Sequence, residues 1–139
     1  MTEDKKIQEK YLQFQMLQQQ IEQISQHLEI LQQQNEDLDR AVEAVTELGK
    51  TKTGKEILAP LANGIFLKTE LKDNERLIVN VGADVTVEKT IPEVTKLLEE
   101  QKTAMLAKSV EAETVLEQLQ HQMMEIYKEV QEEKTEDVR

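Results

Sequence analysis

The chain predicts a mainly α fold with a small β element: a long antiparallel coiled-coil hairpin with two central β-hairpins. Three observations carry that prediction. An apolar stripe of period seven runs through the first third of the chain, a second runs through the last third, and a short segment rich in Val, Leu, Gly and Pro lies between them. In the first stripe Ile7, Phe14, Ile21, Leu28, Asn35 and Val42 fall seven apart, while Lys10, Leu17, Ile24, Leu31, Leu38 and Val45 interleave at alternating steps of three and four. The second stripe comprises Leu98, Lys102, Met105, Ser109, Ala112, Leu116, Leu119, Met123, Ile126 and Val130. Such a stripe is a coiled-coil seam, which needs a partner helix to cover it.

The first helix is expected over about 4–48, where Gln, Glu and Leu are good helix formers. Gly49 follows, and glycine is the usual left-handed stop. At 1.5 Å per residue the helix is roughly 65 Å long, too long for a compact domain of this size. Thr51–Gly54 is a polar connector. Four short strands follow within about 56–89, read as two hairpins. The first strand, Ile57–Leu61, contains Pro60, which cannot donate to a ladder and so marks an edge or a bulge. Asn63-Gly64 is a tight-turn signal leading into Ile65–Leu71, with Ile65, Leu67 and Leu71 on one face. After a turn at Lys72–Glu75, Leu77, Val79 and Val81 share a face, and Gly82–Asp84 turns into Val85–Glu88, which contains Val87. Strands this short leave open edges, and isolated hairpins are marginal in water. They either pair with strands of other subunits or fold back on the chain's own helices. The second helix is expected over about 91–134, opened by Thr90 as N-cap with Glu93 three residues on, and the last polar residues are expected to fray.

The two seams fit each other. Setting Leu48 beside Pro92 gives an antiparallel register in which paired residue numbers sum to 140: Phe14 meets Ile126, Ile21 meets Leu119, Leu28 meets Ala112, and Val42 meets Leu98. A shift of a whole heptad also aligns the stripes, so the connector decides the register. Ala112, Ser109 and Lys102 are poor fillers and predict a weaker middle. Asn35 at a seam position reads as a register device, and Lys102 can lay its stem along the seam with its ammonium in water.

The composition excludes several functions. The 139 residues carry a net charge of −11, with 3% aromatics and no Trp or Cys, which suits long solvated helices and rules out disulfides and thiolate metal sites. Residues 1–48 and 92–139 each carry −6 and the middle +1, so the arms are poorly suited to nucleic acid, whose binding rests on Lys and Arg. No charged segment followed by an apolar one opens the chain, and no apolar run approaches a membrane span; the expectation is a cytoplasmic protein that binds neither membrane nor nucleic acid.

No catalytic constellation, metal set or cofactor site emerges. His27 and His121 have neither a second His nor a Cys at ligand spacing. Thr51–Lys55 lacks the Gly-x4-Gly-Lys spacing of a phosphate loop. The more useful signal is the set of apolar residues off the seam near both chain ends. Leu12 and Met16 fall on the outer face of the first helix and Tyr11 flanks its seam; Met124 lies outside on the second helix and Tyr127 flanks there. The antiparallel register gathers them at one end. Lys10 at a seam position is expected to loosen that end, making Ile7, Phe14, Ile126 and Val130 accessible. Met and aromatic side chains suit a surface that accepts many shapes, although single exposed apolar residues are also ordinary.

At this point the chain resembles the α class of the prefoldin family over nearly its whole length. The resemblance rests on the two coiled-coil arms together with Ile57-Leu58-Ala59-Pro60-Leu61, Gly64-Ile65-Phe66-Leu67, Leu77-Ile78-Val79-Asn80-Val81-Gly82-Ala83 and Val87-Glu88-Lys89. Two hairpins fit the α class; the β class is similar with one. Ala59 and Asp84 depart from the expected Val and Gly. The resemblance implies a single prefoldin-like domain over 1–139 and an ATP-independent cytoplasmic chaperone, not an enzyme. It implies a hexamer of two α-class and four β-class subunits, whose strands join in an intersubunit β-barrel. Coiled-coil tips then hold unfolded client proteins and pass them to a group II chaperonin. The expected tip set is Leu12, Phe14, Met16, Met123, Met124, Ile126 and Tyr127. The expected assembly residues are Ile57, Leu61, Ile65, Leu67, Leu77, Val79, Val81, Val85 and Val87. The competing reading is a coiled-coil scaffold or tether that binds one folded partner.

Overall fold

Helix α1 runs from Thr2 to Lys50, and Thr51 ends it: its N–H donates to the Leu48 carbonyl at 3.1 Å and its Oγ1 to the Glu47 carbonyl at 2.8 Å. The structure, a computed structural model, describes residues 2–137, with side chains over 4–132. Gly49 is therefore inside the helix and is not the expected left-handed stop; the glycines with positive φ are Gly54, Gly64 and Gly82. Its small size has another reason. A Cβ at Gly49 would stand 3.3 Å from Ile91 Cγ2, so the glycine accommodates the start of the second helix.

Strands β1 (Glu56–Ala62) and β2 (Ile65–Glu70) form one antiparallel hairpin, and β3 (Arg76–Gly82) and β4 (Val85–Thr90) form a second. The registers are alike: Ala59 pairs with Leu67, Val79 with Val87, and each ladder slips just before its turn, between Pro60 and Ala62 and between Asn80 and Gly82. A bulge there suits Pro60, which has no N–H to offer. The turns differ. In the first hairpin Gly64 alone takes a positive φ, 76°, whereas in the second Ala83 and Asp84 take φ of 48° and 62°. Residues with a Cβ are disfavoured there by roughly 1–2 kcal/mol each. The Asp84 departure noted in the sequence thus falls on a position that favours glycine.

Backbone bonds fasten the hairpin roots to the helix junction. Gly54 N–H donates to Leu71 O at 2.7 Å, Leu71 N–H to Lys55 O at 2.9 Å, and Ile91 N–H to Glu75 O at 3.0 Å. Asn74 Nδ2 donates to Thr51 O at 2.9 Å, and Asp73 Oδ1 accepts from the N–H groups of Glu75 and Arg76. Leu71, expected to end a strand, lies beyond β2 and is buried, as is Val94. Helix α2 spans Ile91–Asp137, and Glu93 N–H reaches Thr90 Oγ1 at 3.3 Å, the N-cap bond the sequence predicts. It continues past the expected end near Lys134; of the residues expected to fray, Val138 and Arg139 lie outside the described residues.

Two compact units result. One comprises the residues up to Gln34 with those from Met105 on; the other is Asn35–Ala104. In the first, Leu31, Ala112 and Val130 are buried, and Phe14, Leu17, Ile21, Ile24, Leu28, Leu116, Leu119, Met123 and Ile126 are half-buried, so the seam lies inside. Where Ala112 and Ser109 are expected to fill poorly, the seam is nonetheless closed: Leu31 keeps only 3% of its surface and Ala112 7%. Lys10 is paired at its end of the seam. Its Nζ reaches Glu129 Oε2 at 3.4 Å, and Val130 keeps only 7% of its surface. The aliphatic stem lies with the seam while the ammonium finds a carboxylate.

In the second unit Leu38, Val42, Val45, Leu48 and Leu98 are half-buried. Lys102 behaves as expected, pairing with Asp39. The hydrogen bond and charge of that carboxylate hold its ammonium above the ordinary lysine range. Asn35 Oδ1 is buried without a hydrogen-bond partner, an uncompensated polar atom in a seam.

Candidate functional site

Two surfaces carry apolar residues that the chain does not cover. The first is the pair of hairpins. Leu61, Ile65, Leu67, Val81, Val85 and Val87 are exposed, and Ile57, Leu77 and Val79 are half-buried. The opposite faces are no better covered: Leu58, Phe66 and Ile78 are exposed, Ile78 at 73%. Both sheets have two strands and therefore two open edges each. A β face with unpaired edges is a template for further strands.

The second surface lies where the two chain ends meet. Phe14 and Ile126, matched by the predicted register, line one cavity of about 160 Å³ together with Lys10, Tyr11, Tyr127 and Val130. A wider groove of about 450 Å³ opens beside it, lined by Phe14, Gln120, Met123, Met124 and Tyr127. Five of the seven expected tip residues, Phe14, Met123, Met124, Ile126 and Tyr127, are thus brought together. Leu12 and Met16 are 60% and 55% exposed and line neither depression. Tyr11, outside the expected tip set, lines the cavity with Tyr127; each directly follows a seam residue, Lys10 and Ile126, and that shared flank is the signal in the sequence.

The chemistry of this site is shape and apolar area. Gln120 supplies an amide at the groove wall, and the rings of Tyr11 and Tyr127 offer apolar bodies with polar tips. His121 lies 3.2 Å from Glu125 one helical turn on, and His27 is exposed. Among the described residues no group of three His, Asp or Glu is placed to hold a metal ion, and no helix is long and apolar enough to cross a membrane.

Comparison with known proteins agrees with this architecture. A family model described as prefoldin subunit matches residues 17–136. The prefoldin subunit alpha of Methanosphaera stadtmanae is 39% identical over 102 residues, covering 73% of this chain and 72% of that protein. That of Methanococcus aeolicus is 30% identical over 129 residues, 88% of each. A chain of the filamentous PFD of Methanocaldococcus jannaschii, solved by cryo-EM, superposes with a TM-score of 0.74 at 18% identity, over 83% of this chain and 95% of that one. At that identity the likeness speaks to the fold.

Proposed function

The chain belongs to the prefoldin family as an α-class chaperone subunit, and from that premise we propose that it captures unfolded proteins, without ATP, where its two chain ends meet, and delivers them to a group II chaperonin. Residues 1–139 act as one prefoldin-like domain in the cytoplasm. Two such chains join four β-class subunits through the hairpin strands.

The observation that carries the capture reading is the apolar cavity and groove shared by Phe14, Met123, Met124, Ile126 and Tyr127. An unfolded client exposes apolar segments, and each groove covers a little of that area. At about 25 cal/mol per Å², a contact of about 150 Å² contributes roughly 4 kcal/mol before ordering costs. One arm therefore binds weakly, and several arms on one body supply avidity while each contact still releases quickly. The flexible thioethers of Met123 and Met124 suit clients of varied shape.

The test is suppression of aggregation of a denatured client by the assembled chaperone. Deleting residues 1–16 and 124–139 should abolish holding while leaving the assembly intact, with the same number of subunits. Met124→Ser with Tyr127→Ser should weaken it with the helices intact by circular dichroism. Holding that survives both changes would move the contact elsewhere and favour the tether reading.

A further inference from the structure

The coiled coil has two flanks, and over 7–34 and 105–132 both are acidic with four Glu each, but one also carries Lys108 and the other carries no cation. The flank without a cation consists of residues that directly follow a seam residue. On α1 it includes Tyr11, Gln15, Gln18, Glu22 and Glu29; on α2 it includes Val110, Glu113, Glu117, Gln120, Met124 and Tyr127. Helical periodicity puts these on one side of the pair. The depressions agree: Tyr11 and Tyr127 line one cavity together, Met124 and Gln120 line the groove beside it, and Gln15, Gln18 and Glu22 line a third hollow of about 490 Å³.

Between Ile7 and Gln34 and between Met105 and Glu132, every charge on this flank is acidic: Glu22, Glu29, Glu113 and Glu117. All four are exposed. Within these spans the cations lie elsewhere: Lys108 precedes a seam residue and so stands on the opposite flank, Lys128 lies on the outer face two residues from the nearest seam residues, and Lys10 occupies the seam, paired with Glu129. The flank with the apolar hollows is thus also the flank without a lysine or arginine over these residues. Seven helical residues separate Glu117 from Met124, a rise of about 10.5 Å, close to the screening length of about 10 Å at 0.1 M salt. At 0.01 M salt, where the screening length is about 30 Å, a charge bound beside the groove feels these carboxylates.

We propose that this flank selects its clients by charge: it takes apolar segments of unfolded chain flanked by Lys or Arg, in preference to the same segments flanked by Asp or Glu. The selection rests on the capture proposed above. The apolar hollows supply contact area common to all clients, and the carboxylates discriminate among them. Exposed ion pairs are individually weak, and several together give a preference of about tenfold at low ionic strength.

The experiment uses the full-length chain and two fluorescent peptides with one apolar centre, one bearing three Lys at each end and the other three Glu, with binding read by anisotropy. The Lys-flanked peptide should bind about tenfold more tightly, and the gap should shrink as salt rises. Glu22→Lys with Glu117→Lys should remove the preference. Glu43→Lys with Glu100→Lys changes net charge equally, more than twenty helical residues from the groove residues Phe14 and Met124 on the same helices, and should keep it. Equal binding of both peptides to the wild-type chain overturns the selection and leaves capture standing. An equal effect of the two double variants also overturns it, because bulk charge then accounts for the preference. Failure of both peptides to bind even at millimolar chain, where a weak single arm is still occupied, overturns selection and capture together.

Discussion

Along the seam, Leu31, Ala112 and Val130 keep less than a tenth of their surface, whereas in the hairpins Leu58, Leu61 and Ile78 keep about three-fifths or more. Both regions are built from apolar residues at regular spacing. The difference is where the partner surface comes from. A heptad stripe on α1 meets a second stripe on α2 in the same chain, so the chain completes its own seam. Each hairpin offers an apolar face and two open edges with little of the chain on either, and in the proposed assembly its completion falls to other chains. One chain thus carries a finished module and an unfinished one.

Breaking the unfinished side should have the largest effect. Val79→Asp with Val81→Asp puts charge on the β3 face, and a mixture with a β-class partner should then fall to monomers or dimers by light scattering while helix content is retained. An unchanged hexamer would refute the role of the strands. Breaking the finished side acts on stability: Leu31→Ala removes the most buried of the core side chains and should cost about 3 kcal/mol by thermal or urea unfolding.

Smaller changes sharpen the contrast. Asn35→Leu removes a buried Oδ1 without a partner and should stabilise the chain by about 1–2 kcal/mol, at some loss of register specificity. Asp84→Gly relieves a left-handed residue and should add about 1 kcal/mol. The smallest effect is the pH response of Lys102. Asp39 raises its pKa in the folded chain, so the bond's contribution is complete below the ordinary lysine pKa and is lost as pH rises through the raised one. Melting curves of wild type and Lys102→Met should therefore diverge in neutral solution and converge at strongly alkaline pH.

The periodic parts of the fold were legible because period and register are properties of many residues at once. Setting Leu48 beside Pro92 led to the register in which Gly49 faces Ile91 and Phe14 shares a cavity with Ile126. Strand ends differ from the expected ones by one or two residues, and Pro60 lies beside a bulge as its missing N–H requires. Single-residue roles were less legible because they depend on the other helix. Gly49 reads as a stop until Ile91 is seen against it, and Lys10 reads as a loosening charge until Glu129 is seen beside it. The same holds at the candidate site. Leu12 and Met16 share hydrophobicity and position along the helix with the groove residues, yet line neither depression, because they lie off the seam and off the flank that Tyr11 occupies.

The central claim is that both chain ends meet on one self-paired helical segment. The chain has no cysteine, so Phe14→Cys with Ile126→Cys gives a clean pair for a short thiol crosslinker in dilute solution. The account predicts a crosslinked monomer in high yield, identified by its mass and altered mobility. Crosslinks found only between molecules would contradict it, because the two seams would then be covered by different chains.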